Sequence, residues 1–343
     1  MTYRVFIDGQ AGTTGLRIAE RLGTRDDIEL IEIDDVRRKE IGSRLVCIAE
    51  SDVTILCLPD EGAKEIAIAV RLAAEKAGSG SEIARARLID ASTAHRVKKD
   101  WVYGMPELMR DAGSAIQNAK YVANPGCHAT GFILSVRPLA EAGIVKPDAQ
   151  LSAYSLTGFS GGGKSMIAAY EAALNVAKAA NTSALSLPDP LAAPRLYGLT
   201  QAHKHLPEMQ QYAGVRNEPF FSPIVSGYYA GMLVGVSLPK EALAKSVTLA
   251  DVREALAAFY DGRPLIHVRR LGAEAEAGNG AGFLAANAFA NRDDLEIFVT
   301  GNDDKIVLVS RYDNLGKGAS GAAIQNMNLM LGLPEETGLA LGD

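Results

Sequence analysis

Residues 3–22 read YRVFIDGQAGTTGLRIAERL, and this stretch decides the fold of the first part of the chain. An apolar run at residues 3–8 leads directly into a glycine-rich turn at residues 9–15, and residues 14–22 have the apolar spacing of a helix. A strand that passes through such a turn into a helix begins a βαβ unit, in which backbone N–H groups can bind a pyrophosphate. A purely structural turn is the alternative, because a glycine-rich turn alone is a weak signal. We predict a dinucleotide-binding turn formed by Gly9, Gly12, Thr13, Thr14 and Gly15.

The remaining patterns predict an α/β chain with two domains. Apolar runs at residues 28–33, 53–58, 87–89 and 121–123 alternate with helical patterns, which predicts a Rossmann-type parallel sheet. Beyond residue 127, strand candidates at residues 150–156, 224–238, 295–300 and 305–312 predict an α+β domain with a mostly antiparallel sheet. A final helix at residues 317–331 is expected to pack against the first domain. The predicted domains are residues 1–126 with 312–343, for cofactor binding, and residues 127–311, for catalysis and oligomerisation.

Composition narrows the possible partners and location. The 343 residues are 48% hydrophobic and 22% charged with a net charge of −6, which is an ordinary globular balance and gives no sign of a nucleic-acid partner. No apolar run approaches the roughly 18 residues of a membrane span, and a strand begins at once, so we expect neither a membrane segment nor a signal peptide. Three cysteines without metal-ligand spacing indicate a reducing, cytoplasmic location and no metal site.

The end of the second predicted strand carries signals for both nicotinamide cofactors. Asp34 and Asp35 could hold the ribose 2′-hydroxyl of NAD, whereas the basic residues that follow could accommodate the 2′-phosphate of NADP. The basic cluster favours NADP, with Arg37 and Arg38 as the predicted phosphate ligands; a solvated charged turn is the alternative. Pro59, after the third strand, is expected to shape the crevice at the carboxyl ends of the strands.

A cysteine follows a turn signal in the middle of the chain. The sequence Asn124-Pro125-Gly126-Cys127 interrupts an apolar run, and residues 129–142 are typical of a helix that Pro138 could kink. A thiol at a helix N-terminus has a lowered pKa, because the helix dipole and unpaired N–H groups favour the thiolate. We predict that Cys127 is a nucleophile; the alternative is a small buried apolar residue.

Polar residues elsewhere could complete a site. Arg96, after the strand at residues 87–89, could bind a carboxylate or phosphate with both guanidinium nitrogens, although a surface arginine is the alternative. Another glycine turn, Ser160-Gly161-Gly162-Gly163-Lys164, could let the backbone approach a ligand, but it lacks the spacing of a P-loop. Asn314, in the glycine-dense segment at residues 313–321, has an amide suited to a nicotinamide carboxamide.

Two of the five histidines lie close together in the sequence. In extended backbone, His203 and His205 would face the same side, and Glu208 could orient or charge a site beside them. Either histidine could be a general acid or base for Cys127. A loop without catalytic function is the alternative for each one. A metal pair is conceivable, but no third ligand of suitable spacing is visible.

Taken together, these segments resemble a known family. Residues 9–15, 90–96, 103–107, 124–127, 160–164, 203–208 and 313–321 occur in the order seen in N-acetyl-gamma-glutamyl-phosphate reductases, within the aspartate-semialdehyde dehydrogenase-like superfamily. The stretches at residues 13–17 and 127–130 resemble the second type in that family. Lys164 departs from the pattern, since the family has an arginine after this glycine.

The resemblance implies an activity in arginine biosynthesis. It is the NADPH-dependent reduction of N-acetyl-gamma-glutamyl phosphate to N-acetylglutamate 5-semialdehyde, with release of phosphate, through a thioester on Cys127. By the same resemblance, His205 is the acid/base. Arg96 binds the substrate carboxylate, and the other implied substrate-binding residues are Asn124, His203 and Glu208. Ser160, Gly161, Gly163 and Asn314 join the predicted cofactor-binding residues.

Two other functions remain open at this stage. A related reductase could act on aspartyl phosphate or an aminoadipate derivative with the same catalytic residues, and an NADP-binding regulator could lack catalysis altogether. For the reductase we expect a small acyl-phosphate substrate and a homodimer or homotetramer.

Overall fold

The computed structural model describes residues 2–179, 190–276 and 282–342. The chain forms two compact units. The first unit contains Met1–Pro125 and Ala319–Leu339, and the second contains Gly126–Gly318 and Ala340–Asp343.

The first unit contains a six-stranded parallel sheet. Its strands are β1 (Tyr3–Asp8), β2 (Ile28–Ile31), β3 (Val53–Leu56), β4 (Leu88–Asp90), β5 (Val102–Tyr103) and β6 (Tyr121–Ala123), in the order β2-β1-β3-β4-β6-β5. The helices before the second unit are α1 (Thr13–Leu22), α2 (Ile41–Glu50), α3 (Asp60–Ala77) and α4 (Ala112–Asn118). This topology confirms the predicted Rossmann-type domain fold.

Both faces of this sheet are buried, because side chains alternate along each strand. Val5 of β1 lies in one apolar cluster with Ile18 of α1, whereas Phe6 lies in another with Ile48 of α2 and Ile66 of α3. The first cluster also includes Ile324. This residue belongs to the last helix of the chain, which therefore packs into the first unit as predicted.

The second unit contains a mixed sheet of seven strands. They are β7 (Ser152–Gly158), β8 (Arg195–Leu196), β9 (Phe220–Ser226), β10 (Met232–Leu238), β11 (Ile266–Val268), β12 (Leu295–Asn302) and β13 (Lys305–Tyr312), in the order β11-β12-β13-β10-β7-β9-β8. The pairs β11–β12 and β7–β9 are parallel, and the other pairs are antiparallel. The mostly antiparallel sheet is thus confirmed.

Helices of the second unit lie against this sheet and one another. They are α5 (Cys127–Glu141), α6 (Gly163–Ala179), α7 (Leu206–Ala213) and α8 (Leu249–Phe259), and the last helix of the chain is α9 (Gly321–Met330). The nucleophile candidate begins α5, which packs against β10, β13, α7 and α8. Pro138 lies within α5 and does not end it. In the described ranges, no helix combines the length and apolar character needed to cross a bilayer.

Two predicted elements differ from the structure. Residues 224–238 were predicted as one strand but belong to β9 and β10, with a turn between them. Gly231 in this turn has φ +119°, which is not strand backbone, so the apolar run is interrupted there. A Cβ at this position would lie 2.5 Å from the Ala286 carbonyl oxygen, so the turn requires glycine. The predicted helix at residues 317–331 begins as a π-helical turn, Gly316–Ser320, before α9.

Candidate active site

The glycine turn of the first unit packs tightly against the end of β3. Gly9 has φ +87°, and a Cβ on it would lie 2.5 Å from the Cys57 carbonyl oxygen. A Cβ on Gly15 would lie 2.7 Å from the Gly9 carbonyl oxygen. Larger residues at these positions would therefore open the turn.

The turn leads into a helix N-terminus that can bind an anion. Gly12 is the N-cap of α1, Thr13 and Thr14 are its first residues, and the first turn contains only uncharged side chains. The Gly12 N–H bonds to the Gly9 carbonyl oxygen at 2.9 Å, which fixes the turn. Because the positive end of the helix dipole meets no carboxylate from this turn, the geometry fits a dinucleotide pyrophosphate.

The predicted 2′-phosphate ligands lie on an exposed loop between β2 and α2. Arg37 forms an ion pair with Glu40 at 3.1 Å, and Arg38 forms one with Asp35 at 3.2 Å. Exposed pairs of this kind contribute little free energy, so both guanidinium groups can turn towards a bound phosphate. Elsewhere in this unit, Pro59 is the N-cap of α3.

A buried hydrogen-bond network orders the loop after β4. The Asp90 carboxylate accepts from the Ser92 N–H at 2.8 Å and lies 2.6 Å from His95 Nδ1. Arg96 follows and is 7% exposed, with Nε donating to the Asn124 carbonyl oxygen at 3.0 Å. Arg96 is therefore not a surface arginine.

Asn124 lies beside Arg96, and hydrogen bonds of its side-chain amide hold it in place. Its Nδ2 donates to the Ala319 carbonyl oxygen at 3.1 Å, and its Oδ1 accepts from Asn326 Nδ2 at 3.0 Å. The structure thus brings together these two predicted substrate ligands within the first unit.

Cys127 is the first residue of α5 and is half-buried. Gly126, the N-cap, has extended backbone with φ −81° and ψ 146°, as expected before a helix. The predicted position of the thiol at a helix N-terminus is confirmed.

Histidine side chains from two elements surround the thiol. The Cys127 sulfur, one ring nitrogen of His128 and one of His205 all lie within 4.8 Å of one another. The His203 and His205 rings meet edge to face with centroids 4.7 Å apart, and the His205 N–H donates to His203 Nδ1 at 3.2 Å. The backbone at His205 is helical and not extended as predicted, because His205 is the N-cap of α7, whose first two residues are Leu206 and Pro207.

His128 is a further residue of this cluster and was not among the predicted site residues. One ring nitrogen contacts the Tyr197 hydroxyl and the other contacts the Ser155 hydroxyl, both at 2.7 Å. Burial, followed by the charges of His203 and Lys204, lowers the pKa of His128 to about 3, so this ring is neutral at physiological pH.

The Cys127, His128 and His205 groups are also close enough to hold a metal ion. Both ring nitrogens of His128 already have hydroxyl partners, so a metal ion would have to replace Ser155 or Tyr197. These contacts favour a hydrogen-bonded cluster over a metal site.

The second glycine turn lies at the start of α6. Asn314 Nδ2 donates to the Ser160 hydroxyl at 3.0 Å, and Asn314 Oδ1 accepts from the Gly231 N–H at 2.9 Å. A Cβ on Gly161 would lie 3.5 Å from Asn314 Nδ2, and Gly163 has φ +72°. These predicted cofactor ligands therefore come together within the second unit, while Lys164 is exposed.

Comparisons with known proteins agree with this architecture. The semialdehyde dehydrogenase, dimerisation domain family matches residues 127–314. N-acetyl-gamma-glutamyl-phosphate reductase 2 of Nostoc sp. is 41% identical over 338 residues, which cover 98% of this chain and 99% of that protein.

Solved structures show the same fold. Aspartate semialdehyde dehydrogenase II of Vibrio cholerae has a TM-score of 0.69 at 16% identity, covering 96% of this chain and 98% of that one. Aspartate semialdehyde dehydrogenase with NADP from Candida albicans has a TM-score of 0.59 at 14% identity, covering 96% and 99%.

The dimerisation-domain match and the identity to the named reductase define an oxidoreductase of the phosphorylating semialdehyde dehydrogenase class. Within that class, the identity over nearly the whole chain places the protein in the family of N-acetyl-gamma-glutamyl-phosphate reductases.

Proposed function

We propose that this protein reduces N-acetyl-gamma-glutamyl phosphate to N-acetylglutamate 5-semialdehyde and phosphate with NADPH, as a step of arginine biosynthesis. The observation that carries the proposal is the Cys127 thiol at the start of α5, with a His205 ring nitrogen within 4.8 Å of its sulfur. Family membership supplies the substrate class.

The thiol side of the reaction follows from this geometry. The Cys127 thiolate attacks the acyl carbon, the bond to phosphate breaks, and phosphate leaves as a thioester forms on the sulfur. NADPH, when bound, supplies the hydride that reduces this thioester. His205 donates a proton to the resulting oxyanion and takes it back as the hemithioacetal collapses, which releases the aldehyde and restores the thiolate.

Substrate binding is assigned residue by residue. Arg96 binds the substrate carboxylate, since a guanidinium pairs with a carboxylate through two N–H donors. His203, whose Nδ1 accepts from the His205 backbone, and Glu208 support substrate binding in the second unit. Asn124, fixed through both ends of its amide, belongs to the same set.

The cofactor is assigned to the glycine turn of the first unit. The uncharged N-terminus of α1 fits the pyrophosphate, and Arg37 and Arg38 provide the positive charge that a 2′-phosphate requires. Pro59, Ser160, Gly161, Gly163 and Asn314 complete the proposed cofactor-binding set.

We propose that the protein forms a homodimer or homotetramer and acts in the cytoplasm. The matched family is a dimerisation domain. Exposed aromatic side chains on the second sheet support self-association, since Tyr154 of β7 is 37% exposed and Phe220 of β9 is 61% exposed.

The decisive test is turnover with defined substrates. Purified protein is mixed with N-acetylglutamate 5-semialdehyde, phosphate and NADP, and NADPH formation is followed by absorbance. We expect turnover, and a much lower kcat/KM with aspartate semialdehyde. Preference for aspartate semialdehyde would assign the related acyl-phosphate reductase activity instead. Absence of turnover with either aldehyde, together with no selective alkylation of Cys127 by iodoacetamide below pH 8, would indicate the non-catalytic regulator.

A further inference from the structure

A buried tyrosine touches the backbone of the nucleophile. Tyr312, the last residue of β13, is fully buried, and its hydroxyl donates to the Cys127 carbonyl oxygen at 2.6 Å. The same hydroxyl accepts from the Gly131 N–H at 3.0 Å. The Cys127 carbonyl and the Gly131 N–H are an i, i+4 acceptor and donor in the first turn of α5, one residue beyond the Gly126–Thr130 pair that begins the helix. One side chain therefore bridges the turn that presents the thiol.

The helix is built to admit this hydroxyl. A Cβ on Gly131 would lie 2.7 Å from the Tyr312 hydroxyl oxygen and 2.4 Å from Ser310 Oγ. Any larger residue at position 131 would have to displace the tyrosine. The glycine weakens α5 by about 1 kcal/mol relative to alanine, so the position trades helix stability for this contact.

The chain segment after Tyr312 reaches the nucleophile a second time. Gly318 lies in the π-helical turn Gly316–Ser320, and a Cβ on it would lie 3.0 Å from Cys127 Cβ. Turns of π-helix occur frequently at functional sites. The end of β13 and the turn that follows thus contact Cys127 at its carbonyl group and beside its Cβ.

We propose that Tyr312 is a positioning residue for the reaction: its hydroxyl fixes the first turn of α5 and so holds the Cys127 thiol at the helix N-terminus beside His205. Burial, with a further contribution from Cys127, raises the pKa of Tyr312 well above its usual value of 10, so the hydroxyl keeps the proton that it donates. The proposal rests on the proposed thioester chemistry. The effect of Tyr312 on the thiol, however, is measurable in the protein without substrate.

The test compares two buried tyrosines that donate to the same helix. Tyr312→Phe removes the bridge and keeps the ring. Tyr260→Phe is the matched control, because the Tyr260 hydroxyl donates to the Leu134 carbonyl oxygen of α5 at 2.6 Å, away from the thiol. Alkylation of Cys127 by iodoacetamide is measured against pH in the protein without substrate, together with kcat, KM and the melting temperature.

We expect Tyr312→Phe to raise the pH midpoint of alkylation and to lower kcat by about 10- to 100-fold with the KM for NADPH unchanged, since small displacements of reacting groups cost this much. Tyr260→Phe should lower the melting temperature similarly and leave the midpoint and kcat unchanged. Equal midpoints and equal kcat in the two variants would overturn the proposal.

Two further outcomes have defined meanings. If Tyr312→Phe does not fold, Gly131→Ala replaces it, because the added Cβ would lie 2.7 Å from the Tyr312 hydroxyl oxygen and 2.8 Å from a carbon of its ring, and so would push the hydroxyl out of the turn. That variant should show the same midpoint shift, and an unshifted midpoint would refute the role of the bridge. If the wild type does not turn over the acetylated substrate, the proposed function is refuted. A midpoint shift in Tyr312→Phe would still support the positioning of the thiol.

Discussion

The Glu208 carboxylate accepts a hydrogen bond of 3.1 Å from the Gly126 N–H, immediately before the nucleophile. Glu208 lies in the first turn of α7 and is 1% exposed. This contact ties α7, whose N-cap is His205, to the N-terminus of α5. The carboxylate therefore has a structural role beside the substrate role proposed from the family.

Replacing Glu208 should test its structural role. Glu208→Ala leaves a buried N–H without its acceptor, and we expect unfolding to become easier by about 1–3 kcal/mol. Glu208→Gln retains an acceptor oxygen, and should keep most of that stability. Urea titration followed by circular dichroism measures both variants. Equal losses in the two variants would show that the charge, and not the hydrogen bond, stabilises this contact.

Cys127→Ser should abolish turnover while the fold and NADPH binding are retained, because a serine hydroxyl is not ionised at neutral pH. Circular dichroism and NADPH titration verify the fold and cofactor binding, and a coupled assay measures turnover. Cys47→Ala is the matched control, since Cys47 is a buried core residue of the first unit. Substantial reductase activity in purified Cys127→Ser would disprove the nucleophile assignment.

Replacing both Arg37 and Arg38 with alanine should raise the KM for NADPH and reduce the enzyme's preference for NADPH over NADH. The reason is the loss of two cations at the proposed 2′-phosphate site. Steady-state kinetics with both cofactors measures the change. A double lysine variant keeps the charge and should retain most of the preference. Unaltered discrimination in the alanine variant would mean that other residues recognise the phosphate.

His205→Asn should lower kcat by about 10²–10⁴-fold with little change in cofactor affinity, as expected for loss of a general acid–base. It should also raise the pH at which Cys127 is alkylated, because a neighbouring imidazolium favours the thiolate. His203→Asn provides the comparison within the same pair of rings. If His203→Asn causes the large loss and His205→Asn does not, the acid/base role belongs to His203.

His128 should make stability depend on pH. Its pKa is lowered from 6.5 to about 3 in the folded protein, so below pH 6.5 the unfolded chain binds a proton that the folded chain does not. This group should therefore reduce the free energy of unfolding by about 2 kcal/mol between pH 6.5 and about pH 5. Melting temperatures of wild type and His128→Asn across this range test the effect. Parallel pH dependences would show that His128 does not contribute.

Local sequence signals predicted the helices, strands and turns of the chain, but they did not predict the contacts between these elements as well. The glycine turn at residues 9–15 and the start of α5 follow from short-range backbone chemistry, so both were predictable. The turn between β9 and β10 was missed because Gly227 and Gly231 lie within an otherwise apolar run. Its shape depends on the close approach of Ala286, which is distant in sequence.

The same distinction holds for the candidate site. The proximity of Cys127 and His205 depends on α7 packing against α5, and the family resemblance suggested the pair before any geometry did. His128 carried no spacing signal, because its partners Ser155 and Tyr197 lie on β7 and after β8. Tyr312 was not predicted for the same reason, since no pattern in the sequence around it indicates a contact with Cys127.

The last helix of the chain has a consequence for the order of folding during synthesis. Ile324 and Met327 of α9 belong to the same buried cluster as Val5 and Ile18, so β1 and α1 cannot complete their packing until α9 has left the ribosome. The second unit, in contrast, is nearly continuous in sequence from Gly126 to Gly318. The apolar cluster around β1 therefore stays incomplete until α9 is made, after nearly all of the second unit.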